Sequence, residues 1–333
     1  MTKIRFALRL VTLISVAMVG QLNAGWYVRT EAIMGTSVSA EIWAETPEQG
    51  ELLLDAVMAE MHRIDELMSP FKETSELTFL NTNAGRGEVK ASKEMMQLLA
   101  TSSRLSEATD GAFDITFGSV GRFYDYREAR GPTDEELKTA LEAINYQFIE
   151  LNWEEGLVRY LHPLVYVDLG GIAKGYAVDR CIDLLKKNGI QRAMVAAGGD
   201  SRILGSRTDR PWTVGIRHPR DETRMVAILP LEDTAVSTSG DYERYFEKDG
   251  VRYHHILDPG TGKSAAHVRS VTIIGPQATL NDGLSTSVFV LGVDDGLALI
   301  NQMPGIDAVI IDAAGQLHYS EELEKLTRPV SED

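Results

Sequence analysis

Three stretches of the chain carry residue types that do chemistry together. In the first, Asp168, the glycines Gly170 and Gly171, and Lys174 fall within seven residues. The β-branched run before Asp168 predicts a strand over residues 164–168, and a helical pattern follows from Ile172. A strand–glycine–helix junction presents unpaired backbone N–H groups and the positive end of a helix dipole. A lysine in the first helical turn adds a mobile cation suited to phosphate. The junction reads either as a pocket for a phosphorylated ligand or as a tight turn that only eases packing. It is not a P-loop, because Gly-x-x-x-x-Gly-Lys-Ser/Thr is absent.

In the second stretch Asp282, Ser285 and Thr286 stand at i, i+3 and i+4 of a predicted helix, so their oxygens share one face. A carboxylate and two hydroxyls are hard ligands of the kind Mg²⁺ prefers. The alternative is that Asn281 or Asp282 caps the helix. The third stretch holds His254 and His255, adjacent in a predicted strand, so only one faces a given pocket. Histidine is the usual general base near neutral pH, and an exposed pair at a strand edge is the other reading. Two further glycine–polar segments, 197–200 and 237–241, read as cleft-lining turns or as plain hairpin turns.

The elements that must position these residues are legible as periodicities. Apolar residues recur at helical spacing over 47–69, with Leu53, Val57, Met61, Ile64 and Met68 as a core stripe. Further helices are expected over 75–81, 90–108, 134–144 (Thr133 or Asp134 as cap, Glu136 in the first turn), 172–188, 281–291 and 295–302. Gly189 reads as the stop signal of the helix over 172–188. Strands are expected over 26–43 (interrupted at Met34-Gly35-Thr36), 193–197, 212–217, 226–231, 235–238, 242–247, 251–256, 271–274, 308–312 and 316–319. Asp249-Gly250 joins two of them as a hairpin turn. No repeat, low-complexity tract or linker divides the chain, and many antiparallel hairpins argue for a single mixed domain of the α+β class over 25–320. A charged tail over 321–333 is expected to fray.

Bulk properties narrow the function. The chain has 333 residues, 44% hydrophobic and 25% charged, an ordinary globular balance. A net charge of −16 argues against nucleic acid or an anionic membrane surface as partner. Residues 1–24 read as a secretory signal peptide, with Lys3, Arg5 and Arg9 before an apolar run too short to span a bilayer comfortably. The alternative is an uncleaved anchor; cleavage and a periplasmic location are the expectation. The single cysteine, Cys181, permits no intrachain disulfide and reads as a buried thiol on a helix face. No cysteine lies near the cleavage region, so no lipid anchor is expected there.

Taken in order, the motifs resemble one family. They are Met34-Gly35-Thr36; Ser69-Pro70-Phe71 with Ser75-Glu76-Leu77 and Asn81; Gly111-Ala112-Phe113-Asp114; and the run from Asp168 to Asp179. Gly198-Gly199-Asp200, Ser237-Thr238-Ser239-Gly240, His255 to Pro259, and Asp282 to Thr286 follow. The chain is similar to the ApbE family of FAD:protein FMN transferases, from Met34 to about Gly292. The resemblance implies an α+β, T-fold-like core. It implies a Mg²⁺-dependent enzyme that moves FMN from FAD onto a Thr or Ser hydroxyl of a target protein and releases AMP. Such targets are flavin-carrying subunits of membrane redox complexes. Carried over by position, Met34, Phe71, Ala112, Phe113, Asp114, Asp168, Lys174 and Leu257 would contact FAD. Asp282, Ser285, Thr286 and the carbonyl of Gly171 would hold magnesium, and His255 would be the base. The chain departs from common family patterns at Gly260 (often arginine) and Phe71 (often tyrosine). Asp282 is the only carboxylate in its segment. An FAD pyrophosphatase and a non-catalytic FAD-binding protein are the alternative activities.

Overall fold

The computed structural model describes residues 23–327. Residues 1–22 of the expected signal sequence and 328–333 of the tail lie outside the described residues.

The chain opens with a hairpin, β1 (Gly25–Ile33) and β2 (Thr36–Ala44), closed by Met34 and Gly35, both at positive φ (54° and 69°). Two-residue turns of this hand match the twist of the strands they join. Helix α1 (Pro47–Met68) begins with Pro47 after Thr46, whose side chain accepts the Gln49 N–H. Ser75 caps α2 (Glu76–Asn83). After β3 (Val89–Lys90), Ser92 caps α3 (Lys93–Ala108). A short α4 (Gly118–Gly121) is followed by α5 (Asp134–Leu141), which starts with a reciprocal capping box between Thr133 and Glu136. β4 (Ile149–Asn152) and β5 (Leu157–Tyr160) join β3 in a small sheet. The second half runs α6 (Ala173–Lys187), β6 (Ala193–Ala197), β7 (Asp200–Leu204), β8 (Trp212–His218), β9 (Asp221–Leu231) and β10 (Ala235–Gly240). It continues with β11 (Tyr245–Lys248), β12 (Val251–His254), β13 (Leu257–Asp258), β14 (Lys263–Ser264) and β15 (Val268–Gly275). It closes with α7 (Ala278–Ile300), β16 (Asp307–Asp312), β17 (Leu317–Tyr319) and α8 (Glu321–Thr327).

The main sheet has eight strands in the order β1-β2-β6-β7-β10-β15-β16-β17, and every neighbouring pair is antiparallel. Helices α1, α6 and α7 pack side by side with that sheet: α1 on β1 and β2, α6 on β6 and β7, α7 on β10, β15 and β16. One core forms between the layers, with Ile42, Met61, Val178, Val195, Ile273 and Phe289 fully buried in it. Cys181 lies in this core, its Sγ 3.6 Å from the Val57 carbonyl. No described helix is long and apolar enough to cross a membrane.

Several expectations change for physical reasons. Residues 164–168 form no strand. The Asn81 carboxamide does the work of a neighbouring strand there, accepting the Val167 N–H and donating to the Val167 carbonyl, both at 2.8 Å. The Ser119 hydroxyl and the Ile115 carbonyl take the N–H groups of Tyr166 and Asp168. The segment 237–241, expected as a turn, is mostly strand β10, paired with β7 and β15. Residues 281–291 and 295–302 join as α7, broken at Gly292 (φ 84°, ψ −165°). The helix expected from Lys90 starts at Lys93, because Val89 and Lys90 pair with β5. Residues 321–327, expected to fray, form α8 with Leu323 packed against Ile216 and Val309.

Candidate active site

Helix α6 starts without a side-chain cap, at Ile172. Its free N-terminal donors are largely spoken for inside the protein. Ile172 and Ala173 donate to the Leu169 carbonyl, and Gly170 donates to Asp168 Oδ1 at 2.7 Å. Gly175 N–H donates to Asp282 Oδ2 at 3.0 Å. The N–H groups of Gly170, Ile172, Ala173 and Gly175 are thus bonded within the chain and do not stand open to a phosphate. The helix end instead holds the Asp282 carboxylate, an anion at the positive end of a dipole.

Asp282 comes from the first turns of α7. It is not a cap: Gln277 occupies that position. Asp179, on α6, supplies the capping carboxylate across the helix pair, accepting the N–H groups of Ala278 (3.0 Å) and Thr279 (2.9 Å) and the Thr279 hydroxyl (2.6 Å). Arg202 holds Asp179 from β7 at 2.7 Å. The helices approach so closely that a β-carbon on Gly175 would lie 2.2 Å from the Ala278 carbonyl oxygen. Only glycine fits there.

Lys174 bridges two buried acids. Its Nζ lies 2.8 Å from Asp200 Oδ2 and 3.3 Å from Asp282 Oδ1. Burial works against the ammonium, but the two carboxylates together outweigh it and raise its pKa. Burial and the nearby Asp200 charge push Asp282 above the usual carboxylate range, against the pull of Lys174. Asp200 sits at the start of β7, behind a Gly198-Gly199 turn in which a β-carbon on Gly199 would meet the Thr238 carbonyl at 2.4 Å. The Ser285 hydroxyl contacts Ser239 Oγ at 2.8 Å and donates to the Asp282 carbonyl, while Thr286 Oγ1 is 3.5 Å from Ser239 Oγ. A β-carbon on Gly171 would stand 3.3 Å from Thr286 Oγ1 and 3.4 Å from the Phe113 ring. Asp282, Ser285, Thr286 and Gly171 are thus one oxygen-rich cluster, whose donors suit a hard divalent cation.

His255 follows β12. Its N–H donates to the Arg244 carbonyl at 3.1 Å, and its Nδ1 is buried with no hydrogen-bond partner. Burial pushes its pKa down to about 3, helped by the charges of Arg244 and Lys174 and by the neighbouring His254. His254 is a structural residue: Nε2 donates to the Ala265 carbonyl at 2.7 Å, Nδ1 accepts from Ile256, and the ring packs edge-on against Phe289. The pair therefore separates into one satisfied core imidazole and one unsatisfied imidazole.

The other residues expected to contact FAD stand in different surroundings. Asp168 is half-buried, and burial raises its pKa against the opposing Gly170 hydrogen bond and the charges of Arg244 and Lys174. Asp114 is buried with both carboxylate oxygens in use, Oδ1 by Thr116 and Oδ2 by Tyr146 N–H. It shapes the turn at Ile115–Phe117, and the neighbouring Phe113 is buried with its ring close to Gly171. Met34 occupies the left-handed region at the β1–β2 turn, a costly conformation for a long side chain. Leu257 is buried with Val120 and Ala140 in a small satellite core. Phe71 is 82% exposed, its loop tied down by a Tyr166 hydroxyl bond to the Pro70 carbonyl. Gly260 lies in an exposed turn organised by Asp258, which accepts from Gly260 N–H and the Thr261 hydroxyl.

A model of the ApbE family matches residues 34–310. The chain belongs to the ApbE family. It is 32% identical over 311 residues to a Treponema pallidum protein named FAD:protein FMN transferase, covering 88% of this chain and 86% of that protein. A Vibrio cholerae protein of the same name is 36% identical over 263 residues, 76% of this chain and 78% of that protein. Among solved structures, the Thermotoga maritima ApbE protein superposes with a TM-score of 0.84 at 35% identity, over 92% of this chain and all of that one (100%). The Vibrio cholerae flavin transferase ApbE gives 0.81 at 29% identity, over 91% and 99%. The fold is thus the family's α+β fold. Sequence reasoning flagged the segments 197–200 and 237–241 as possible cleft-lining turns but assigned no site role to Asp200, Ser239, Asp179 or Arg244. Asp200 and Ser239 had a signal, each standing in a glycine–polar motif; Asp179 and Arg244 had none that points to a partner.

Proposed function

We propose that this protein transfers FMN from FAD to a Thr or Ser hydroxyl of a target flavoprotein and releases AMP, with Mg²⁺ bound. The observation that carries the reading is the Lys174–Asp200–Asp282 cluster with its facing hydroxyls, built beside an unsatisfied imidazole in a chain of the ApbE family. Asp282, Ser285, Thr286 and the Gly171 carbonyl would hold the magnesium, which would neutralise pyrophosphate charge when bound.

In this reading the acceptor hydroxyl oxygen attacks the FMN-side phosphorus. A phosphoester bond forms to FMN, the bond to the bridging oxygen breaks, and AMP leaves with that oxygen. His255 takes the hydroxyl proton, a role typically worth ~10²–10⁴-fold in rate. A ring at about 3 is a weak base, but the anionic pyrophosphate brings negative charge that offsets Arg244 and Lys174 and raises it. Lys174 stabilises the charge that develops on the phosphoryl oxygens. Met34, Phe71, Ala112, Phe113, Asp114, Asp168 and Leu257 would line the flavin dinucleotide, with Asp114 acting through the backbone that it shapes. The signal-like residues 1–24 support work in the periplasm, on subunits of membrane redox complexes.

The test is intact mass of a candidate acceptor domain with an exposed Thr or Ser, after incubation with the protein, FAD and Mg²⁺. A gain of one FMN, lost with EDTA and in His255→Ala, is expected. Free FMN and AMP without acceptor gain would assign a pyrophosphatase instead. FAD bound and unchanged would assign a carrier.

A further inference from the structure

Arg244 has so far entered the site only through its charge on His255 and Asp168, with no contact assigned to its guanidinium. It lies just before β11, and its carbonyl receives the His255 N–H, so the two backbones are locked together. Its guanidinium reaches back over the β1–β2 turn, where a β-carbon on Gly35 would stand 3.3 Å from Nη2. Its charge is felt at Asp168, His255 and Tyr126. Lys174 acts electrostatically on two of those same groups, Asp168 and His255.

The two cations differ in what they already hold. Lys174 is engaged by Asp200 and Asp282. Nearby Arg220 and Arg252 are both engaged by Asp241. Arg244 makes no side-chain hydrogen bond or ion pair among the described residues. In a chain with 49 acidic and 33 basic residues, a guanidinium left unpaired at the edge of a cluster of acids is available to an incoming anion. Its planar fork matches two phosphoryl oxygens at once, which an ammonium does not.

Resting on the proposed flavin transfer, we infer that Arg244 binds the pyrophosphate of the dinucleotide directly, beside His255, as the cation the protein leaves free for that purpose. Lys174 then serves the cation cluster and the phosphoryl group from the α6 side, and Arg244 closes the site from the β11 side.

The test is equilibrium binding followed by flavin fluorescence, with Mg²⁺ present, using FAD and riboflavin as probes. Arg244→Gln is expected to bind FAD roughly 10- to 100-fold more weakly, the range for losing charged hydrogen bonds. Riboflavin, which has no phosphate, is expected to bind Arg244→Gln as it binds wild type. Arg244→Lys should fall between the two for FAD, and Glu243→Gln, one residue away, should match wild type. Unchanged FAD affinity in Arg244→Gln overturns the inference, and does so even if the KM for acceptor protein rises, which would make Arg244 a docking residue. Equal losses for FAD and riboflavin also overturn it, since they would mark a collapsed turn. Failure of the flavin-transfer reading shows separately, in the wild-type arm, as no FAD binding or no FMN on the acceptor.

Discussion

At the scale of single residues, His255 depends most on its surroundings. In an unfolded chain it takes a proton near pH 6.5; in the folded chain burial defers that to about 3. Between those values acid favours the unfolded state, so stability is full above about pH 6.5 and is lost as the pH falls towards 3. His255→Gln should therefore lose less stability than wild type between pH 7.5 and 5, read as the shift in urea midpoint. Equal shifts would show that the ring is not desolvated. The kinetic counterpart concerns two profiles. kcat/KM reports the free enzyme and should show no His255 limb near neutrality, whereas kcat, which reports the complex, should show its acid limb at higher pH. Met34 makes a second case. Its left-handed backbone costs about 1–3 kcal/mol in a turn that asparagine fills readily. Met34→Asn should raise Tm and weaken FAD binding, separating the stability of the turn from the work of its side chain. A fall in Tm would show that Met34 packing outweighs the strain.

At the scale of elements, the site is a junction of α6 and α7, and the junction has two fasteners. Asp179→Ala removes the acceptor for Ala278 and Thr279 at the start of α7 and should cost about 1–3 kcal/mol by chemical denaturation. Mg²⁺ affinity should fall with it, because Asp282 stands in the turns that fray. Gly175→Ala forces the helices apart and should cost a similar ~1–3 kcal/mol. These elements differ in how well the sequence announces them. Thr133 with Glu136, and Ser75 before Glu76, are local signals, and the helices start where those residues say. Asp179 leaves no such mark, since it caps a helix about a hundred residues further on. The same holds for Asn81: a carboxamide that replaces a strand partner at Val167 is invisible to a pattern of β-branched residues. The oxygen set on α7 was legible because i, i+3, i+4 spacing is a local property. Its pairing with Lys174 and Asp200 was not, because that depends on how three segments fold together.

At the scale of the whole molecule, two site cations, Lys174 and Arg244, sit inside a chain of net charge −16. An anionic dinucleotide must cross that repulsive field before Lys174 and Arg244 attract it. Raising ionic strength from about 20 to about 200 mM screens the longer-range repulsion more than the contact attraction. The association rate of FAD should therefore rise with salt, measured by stopped-flow fluorescence; a fall would show that the local cations dominate the approach. The α+β class was legible at this scale from hairpins and helices, but the strand order was not. β10 sits between β7 and β15 while the β8–β9 hairpin leaves the sheet altogether, and no local pattern encodes that. The core between sheet and helices also encloses Cys181, the chain's one thiol, whose pKa burial raises. A thiol kept protonated and covered is inert to alkylating reagents. The native chain is thus already a silent background for single-site labelling: a cysteine introduced at the exposed position of Phe71 would take a fluorophore alone, and would report the approach of an acceptor protein without any native residue of the core being removed.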